Sequence, residues 1–272
     1  MAFVHLRAHT EFSVVDGTLR IDDLVAAARQ DGQPALAITD LANLFGAVKF
    51  YKACRGKGVQ PLIGADLWMQ PEAGEKNPSR LLVLVQDSRG YHNLCELLAQ
   101  AWTANVQRAQ AWVKWEWFDT YGDGLIVLSG AEHGAVGQAL LAGDATRAAA
   151  IAARIAAQFP DRFYLELQRA GLPGQEALVR ATVPLAAQLQ LPVVATHPMQ
   201  FLTPDDFEAH EARVCIAEGE TLGNAKRVKR FTRDQHFKTQ AEMAALFADV
   251  PSALANSVQI ARRCALTLVL GK

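Results

Sequence analysis

Short apolar runs alternate with amphipathic stretches along most of the chain, and this alternation restricts the possible folds more than any other feature. A short apolar run bounded by turn residues predicts a strand, whereas apolar residues that recur every three or four positions predict a helix. The apolar runs predict strands over 3–6, 35–38, 61–69, 81–85, 125–128, 163–167 and 193–195. The amphipathic stretches predict helices over 21–30, 45–55, 90–101, 134–141, 146–158 and 175–190.

Strands separated by helices are typical of parallel β/α units, and strands that are apolar on both faces are expected where helices cover the sheet. No G-x-G-x-x-G or P-loop pattern follows any predicted strand, which argues against a nucleotide-binding open sheet. We therefore expect an α/β fold of the barrel type. From residue 203 the pattern is helical, with helices predicted over 205–217, 240–247 and 251–264.

Composition excludes several classes of protein. The formal net charge of −1 gives no global basic field, so this chain is not expected to bind nucleic acid tightly without sequence preference. The four cysteines are far apart and form no C-x-x-C pair, which favours reduced cysteines in a cytoplasmic protein over a disulfide or zinc framework. No apolar stretch reaches the length of a membrane span. The last residues, 266–272, read as a strand without a cap, so we expect the N-terminal fragment of a longer protein.

Polar side chains follow nearly every predicted strand, at the edge where a β/α barrel carries its functional groups. Neutral imidazole and carboxylate are ligands that zinc and manganese accept. The candidate metal ligands at these strand ends are His9, Asp16, Asp40, Asp66 and His197. Arg7 stands among them and offers a permanent cation with no lone pair. A site for two or three metals needs more ligands than this set provides.

Several ordered segments resemble one family. They are HLRAHTEFSVVDG (5–17), ALAITDLANLFGAVKFY (35–51), PLIGAD (61–66), GLIVLSG (124–130), FYLELQ (163–168), VVATHPMQFL (193–202) and AHEARVCI (209–216). The chain resembles the PHP (polymerase and histidinol phosphatase) domain, in the version found at the amino terminus of bacterial replicative DNA polymerases. The resemblance implies a distorted seven-stranded (β/α)7 barrel with extra C-terminal helices. It also implies one PHP domain over 1–272, with a barrel in 1–202 and a C-terminal helical part in 203–272.

The family's metal-binding positions can be placed on this sequence one at a time. The resemblance implies that a usable ligand is kept at His9, Asp16 and Asp66, the last a shorter carboxylate than the family's glutamate. The ligand is replaced at Arg7, Leu41, Arg80, Ala131, Pro198 and Gln200. Arg7 and Arg80 would then set fixed cationic charge against the carboxylates of Asp16, Asp40 and Asp66. Glu166 is a further group that could point into the barrel and partner an arginine.

The degraded ligand set predicts no metal, no cofactor and no catalytic residue in this chain. The resemblance implies a catalytically silent scaffold that supports the polymerase core of the same chain and docks the proofreading exonuclease subunit. DNA and Mg²⁺ would then belong to the parent polymerase, with DNA contact by this chain weak at most. The alternative is an active phosphoesterase with Zn²⁺ or Mn²⁺, acting as a 3'-5' exonuclease or a pyrophosphatase. A third interpretation is a stand-alone phosphatase of the histidinol-phosphate type.

A second region of interest is basic. Its charged residues are Lys226, Arg227, Lys229, Arg230 and Arg233. Such a run is typical of a solvated, flexible loop, and it could instead contact a phosphate backbone or a protein partner.

Overall fold

The structure, a computed structural model, describes residues 2–72, 75, 77–224 and 226–271. Its strands are β1 (Ala35–Ile38), β2 (Gln60–Met69), β3 (Ser79–Val85), β4 (Val106–Gln107), β5 (Gln110–Val113), β6 (Leu125–Leu128), β7 (Phe163–Gln168) and β8 (Val193–Thr196). Its helices are α1 (Ile21–Gln30), α2 (Ala47–Lys57), α3 (Ser88–Ala104), α4 (Phe118–Tyr121), α5 (Ala135–Leu141), α6 (Ala145–Gln158), α7 (Gln175–Leu189), α8 (Phe207–Glu218), α9 (Gln240–Leu246) and α10 (Pro251–Arg263).

The sheet is a distorted barrel, as the sequence predicts. Six strands pair in the order β1, β2, β3, β6, β7 and β8. The amino-terminal segment closes the ring, because His5 bridges to Leu36 of β1 and Ala8 bridges to Met199 just after β8. The prediction of a regular strand over 3–6 is wrong, since this segment makes isolated bridges. One reason is that the amides of Phe3 and Val4 donate to the side chains of Gln240 and Ser257, both at 3.1 Å, instead of to backbone carbonyls.

The prediction of parallel β/α units is wrong at β3, which runs antiparallel to both β2 and β6. None of the described residues between β2 and β3 is helical, and a parallel return would need a long crossover connection. The reversal places Arg80, at the start of β3, beside the carboxyl end of β2. Asp87, at the far end of β3, caps α3 by accepting a hydrogen bond from the Gly90 amide at 2.9 Å.

The β4–β5 hairpin was not predicted and lies outside the barrel. It joins β2 through the register pairs Trp68 with Trp112 and Met69 with Val113. Its two turn residues, Arg108 and Ala109, both have positive φ angles, 50° and 63°.

The interior of the barrel has two halves of different character. Near the amino ends of the parallel strands it is apolar, with Val4, Leu62 and Val194 fully or almost fully buried. Ile260 and Cys264, at the end of α10, belong to the same cluster. The carboxyl ends of the strands carry the buried charged groups. None of the described helices is long and apolar enough to cross a membrane.

Candidate functional site

A cavity of about 770 Å³ opens at the carboxyl ends of the barrel strands. Side chains from the amino-terminal segment, β2 and β3 form its floor, and they include Arg7, His9, Asp16, Asp66 and Arg80. The cavity is therefore built from the positions that the sequence predicts as a former metal site. Leu41, Pro198 and Gln200 also line it.

Arg7 is the central group of this floor, and its side chain is 6% exposed. Its guanidinium donates to both oxygens of Glu166, from Nε at 2.9 Å and from Nη2 at 3.1 Å. Its Nη1 pairs with Asp66 Oδ2. Burial alone would lower the pKa of Arg7, but the carboxylates of Asp66 and Glu166 outweigh it and raise the pKa. Arg7 thus joins the amino-terminal segment to β2 and β7 as a permanent cation.

Asp66 is shared by three basic groups. Besides Arg7, its Oδ2 accepts a hydrogen bond from Arg80 Nη1 at 2.9 Å and lies 3.2 Å from His9 Nε2. Burial would raise the pKa of Asp66, but the two guanidinium groups and His9 hold it well below its usual range. The Arg80 guanidinium also stacks 4.2 Å from the ring centre of Trp68, the residue directly opposite it across the β2–β3 pair.

His9 is the third cation of the floor at neutral pH. Its Nδ1 pairs with Asp16 Oδ2. Burial would lower the pKa of His9, but the carboxylates of Asp16 and Asp66 raise it to about 9. The pKa of Asp16 is lowered despite its burial, chiefly by His9. The cations Arg7, His9 and Arg80 are therefore balanced by the carboxylates Asp16, Asp66 and Glu166.

This arrangement does not fit a divalent metal ion. Both ring nitrogens of His9 face carboxylates, and the Arg7 guanidinium occupies the space between Asp66 and Glu166. A metal ligand must be deprotonated, whereas the carboxylates beside His9 raise the pKa of its imidazole to about 9. Within the described ranges there is no group of three or more His, Cys, Asp or Glu side chains that could hold a metal ion.

Glu166 is held in place by the strands around it. Its carboxylate accepts hydrogen bonds from the Gly130 amide at 3.0 Å, from Gln168 Nε2 at 2.8 Å and from the Thr196 hydroxyl. Ala131 follows Gly130 and is buried, with a positive φ of 45°. At this position, where the resemblance implies a replaced ligand, the chain therefore has a methyl group directly after the Gly130 amide that holds Glu166.

Two of the predicted site residues face other partners. Asp40 was expected to face the arginines, but its carboxylate accepts hydrogen bonds from the Thr10 amide at 2.6 Å and the Ser13 hydroxyl at 2.7 Å. His197 was a candidate ligand, but its Nε2 donates to the carbonyl of His236 at 3.0 Å. Both expectations are wrong, because the side chains of Asp40 and His197 are hydrogen-bonded to these partners and do not pair with Arg7 or Arg80.

The basic segment is not a free basic loop. Arg227 pairs with Glu211 of α8, and both side chains are 4% exposed. Arg230 pairs with Glu218 at 3.0 Å, and Arg233 pairs with Asp205 at 3.2 Å. The expectation of solvated charge is therefore wrong for Arg227, because a carboxylate of α8 is buried with it. Lys226 and Lys229 are exposed.

Sequence reasoning missed the groups that hold the site together. Thr10 and Ser13 bind Asp40, Thr196 binds Glu166, and Trp68 packs against Arg80. The contact between Trp68 and Arg80 could be predicted only if the register of β2 and β3 were known. Thr10 directly follows His9 in the sequence, and Thr196 directly precedes His197. This closeness to predicted site residues was the signal by which the sequence could have indicated them.

Comparison with known proteins identifies relatives. The sequence matches the family described as PHP domain over residues 5–170. It is 42% identical over 272 residues to DNA polymerase III subunit alpha of Pseudomonas aeruginosa. The aligned region covers 100% of this chain and 23% of that protein. It is 50% identical over 277 residues to the same subunit of Neisseria meningitidis, covering 99% of this chain and 24% of that protein. The chain thus spans about a quarter of the length of these relatives.

A solved structure shares the fold. An amidohydrolase from Chromobacterium violaceum aligns with a TM-score of 0.52 and 12% sequence identity, covering 78% of this chain and 97% of that protein. At this identity the likeness concerns the fold alone, and it agrees with a distorted β/α barrel.

Proposed function

Since the chain belongs to the PHP domain family, and since DNA polymerase III alpha subunits match it along its whole length, we propose that it is the amino-terminal domain of a bacterial replicative DNA polymerase. In that position it acts in DNA replication as a catalytically silent scaffold in the cytoplasm. It supports the polymerase core of the same chain and docks the proofreading exonuclease subunit. Nucleotidyl transfer and its Mg²⁺ belong to the remainder of the subunit.

The observation that carries the silent role is the position of Arg7. Its guanidinium bridges Asp66 and Glu166 with three contacts inside the barrel. A divalent cation at this place would have to displace a buried, permanently charged group that already pairs with both carboxylates. We propose that the side chain replaces the metal as the internal cation of the fold.

The residues of the floor then have a structural task. Arg7 holds β2 and β7 to the amino-terminal segment, Arg80 holds β3 to β2, and Thr196 adds β8 through Glu166. The floor closes the half of the barrel that carries the buried charged groups. A rigid barrel of this kind offers fixed outer surfaces to neighbouring domains and subunits.

The alternative is an active phosphoesterase that uses Zn²⁺ or Mn²⁺. It is favoured by the retained His9, Asp16 and Asp66 and by the open cavity above them. For this function the ion pairs with Arg7 and Arg80 would have to open.

Metal content tests the proposal. The chain is incubated with Zn²⁺ and Mn²⁺, freed of excess metal and measured by inductively coupled plasma mass spectrometry. We expect well under one metal ion per chain, and no difference between the chain and the variants Asp66→Asn and Asp23→Asn. Asp23 is exposed and serves as the matched control. One or more tightly held ions that disappear in Asp66→Asn alone would overturn the silent role and support the phosphoesterase.

Subunit binding tests the docking role. The chain and the proofreading exonuclease subunit of the same organism are mixed and separated by size-exclusion chromatography. We expect one complex that elutes ahead of either protein. If the full polymerase subunit binds the exonuclease and this chain does not, the docking surface lies elsewhere in the subunit.

A further inference from the structure

We propose that the amino-end face of the barrel, on the side opposite the cavity, binds the phosphate backbone of duplex DNA. The inference rests on the proposed function in one respect, namely that a domain of a DNA polymerase works beside duplex DNA. The formal net charge of −1 conceals an uneven distribution of charge over the chain. Six cations form an arc on this face, called the basic arc: Arg55, Lys57, Arg89, Arg162, Arg262 and Arg263. The carboxylates among them are Asp87, Asp123 and Asp161.

Contacts between segments that are distant in sequence join the arc into one surface. The side-chain amide of Gln60, at the start of β2, donates to the carbonyls of Ala261 at 3.0 Å and Cys264 at 2.7 Å. These bonds bring the end of α10 beside the end of α2, and the last turn of each helix carries two of the cations. The Ala265 amide donates to the Gln86 carbonyl at 2.7 Å, which connects α10 to the end of β3 and the start of α3.

The arc continues across a shallow pocket at the amino ends of β6 and β7. Arg89, Arg162 and Arg263 all line this pocket. Arg263 donates to the Tyr164 hydroxyl of β7 at 2.8 Å, and Arg162 donates to the carbonyl of Gly122 at 2.7 Å. Three arginines therefore share one recess of this face.

Most cations of the arc have no carboxylate partner. Arg89 pairs with Asp123 at 3.0 Å, and Arg162 lies 3.9 Å from the same carboxylate. None of the described carboxylates forms an ion pair with the other four cations, Arg55, Lys57, Arg262 and Arg263. In the basic segment at the other end of the barrel, by contrast, all three arginines are paired. The arc therefore presents four positive charges that no ion pair within the described chain neutralises.

Hydrogen bonds at the helix ends do not use these cations. Lys and Arg side chains in the last turn of a helix can bind its last carbonyls. In α2, however, the Gly58 amide donates to the carbonyl of Arg55, and in α10 the side chain of Gln60 takes two of the last carbonyls. The side chains of Arg55, Lys57 and Arg262 are exposed and donate to no group in the described part of the chain. They are therefore available to an external anion.

The composition of the face favours a nucleic-acid duplex over other partners. None of the described segments that carry the arc exposes a large apolar or aromatic side chain. These segments are 55–60, 86–89, 122–124, 161–163 and 261–265. A protein partner needs an apolar core at the interface, and single-stranded nucleic acid is held by stacking on aromatic side chains. Five of the six cations are arginines, whose planar guanidinium groups pair with phosphate oxygens. The outward-facing phosphates of a duplex fit this surface.

Fluorescence anisotropy of a short labelled DNA duplex, with EDTA present and at rising salt concentration, tests the inference. We expect saturable binding at low salt. The logarithm of the binding constant should fall against the logarithm of salt concentration with a slope of about −3 to −4, as four phosphate contacts require. No binding at low salt would overturn the inference. So would tighter binding of the single strand, of poly-glutamate or of anionic lipid vesicles, which would show a different class of partner.

A pair of double variants with the same loss of charge locates the site. Arg55→Gln with Arg262→Gln removes two exposed cations of the arc, whereas Lys226→Gln with Lys229→Gln removes two exposed cations at the opposite end of the barrel. The first should weaken duplex binding at least about tenfold and reduce the salt slope by about 2. The second should change binding by less than about twofold. Equal weakening would show a response to net charge alone and would contradict the assignment.

The melting temperature of each variant controls for folding. If the double variant of the arc melts below the parent chain, the single variant Lys57→Gln decides the matter, because Lys57 is exposed and forms no ion pair with a described carboxylate. Its salt slope should be smaller by about 1. An unchanged slope would remove the arc from the binding surface.

The metal conditions separate this inference from the proposed function. Duplex that binds in EDTA and is recovered intact supports both. If the duplex binds only after Mn²⁺ or Zn²⁺ replaces EDTA, the metal-free floor and the inference fail together. If the duplex binds in neither condition and metal content stays low, this inference alone fails.

Discussion

At the scale of single residues, Arg7 is the group on which the buried charges depend. It contacts Asp66 and Glu166, which come from strands far apart in sequence. The three side chains are almost completely buried. Taking charges out of water is costly unless each finds its partner, so the arginine and the two carboxylates stabilise the fold as a set.

Substitution of Arg7 by alanine should strongly destabilise the protein. The change leaves two buried carboxylates without their counter-charge, and we expect a loss of about 3–5 kcal/mol in the free energy of unfolding. Arg147→Ala is the matched control, because Arg147 is 51% exposed and pairs with Glu75 at the surface. We expect this control to change stability by about 1 kcal/mol or less. Urea denaturation measures both, and an unchanged midpoint for Arg7→Ala would contradict the structural role of the arginine.

His9 should make stability decline on the alkaline side. Its pKa is about 9 in the folded protein, above the value near 6.5 of an unfolded imidazole. The stabilisation from its positive charge is therefore complete below about pH 6.5, falls as the pH rises and is lost above about pH 9. Unfolding free energies measured from pH 6 to 10 should show this decline in the parent chain and not in His9→Asn. Exposed His92→Asn is the control and should keep the parent profile; parallel profiles for the chain and His9→Asn would rule the mechanism out.

At the scale of secondary-structure elements, the direction of β3 determines the composition of the site. Because β3 runs antiparallel to β2, its first residues lie at the carboxyl ends of the parallel strands. Arg80 therefore reaches Asp66, and Asp87 is carried to the opposite end, where it caps α3. In a parallel strand these two residues would exchange places.

The segment 226–237, called the strap, is fixed across the carboxyl-end face of the barrel by a buried ion pair. Arg227→Ala would leave Glu211 buried without its counter-charge and should loosen the strap. We expect faster cleavage by thermolysin beside Val228 and Phe231, followed by mass spectrometry. Arg233→Ala is the control, because Arg233 is 65% exposed and its partner Asp205 is 95% exposed. Equal cleavage rates in the two variants would show that the buried pair does not hold the strap.

At the scale of the whole molecule, the C-terminal helices complete the barrel. Met243 and Phe247 are fully buried in the main core, while Ile260 and Cys264 close the apolar half of the barrel interior. Val4 connects the same parts, because its amide donates to the Ser257 hydroxyl at 3.1 Å. The barrel and the helical part therefore share their cores.

A chain that ends at Leu202 should not fold cooperatively. The truncation exposes the apolar surface that Leu254, Ile260 and their neighbours cover in the complete core. We expect loss of a single unfolding transition by circular dichroism and increased binding of an apolar dye. A chain that ends at Leu268 removes the exposed Val269 and Leu270 and should unfold like the parent. A cooperative transition in the shorter chain would instead identify 1–202 as an independent unit.

Much of the fold could be predicted because secondary structure depends on local patterns of burial. The helix predicted over 21–30 coincides with α1, and the strands predicted over 35–38 and 125–128 coincide with β1 and β6. Asp144 caps α6 by accepting a hydrogen bond from the Arg147 amide at 2.9 Å, and the helix begins at Ala145, one residue before the predicted start. The short hairpin β4–β5 was missed, because its strands are too short to show a period.

The sequence by itself determined which charges stand at the strand ends, because residue type fixes whether a group can bind a metal ion or must be a cation. The sequence also predicted that Arg7, His9 and Asp66 lie in one site, because Arg7 and His9 follow the first predicted strand and Asp66 lies in the third. Only the tertiary structure decided that β3 is reversed, that Glu166 neutralises Arg7, that His197 faces another partner and that Arg227 is buried. The raised pKa of His9 also depends on the fold, since the carboxylates of Asp16 and Asp66 together outweigh the effect of burial, and Asp66 lies 57 positions away in the chain. Pairings between distant residues depend on strand register and direction, and no local pattern encodes either.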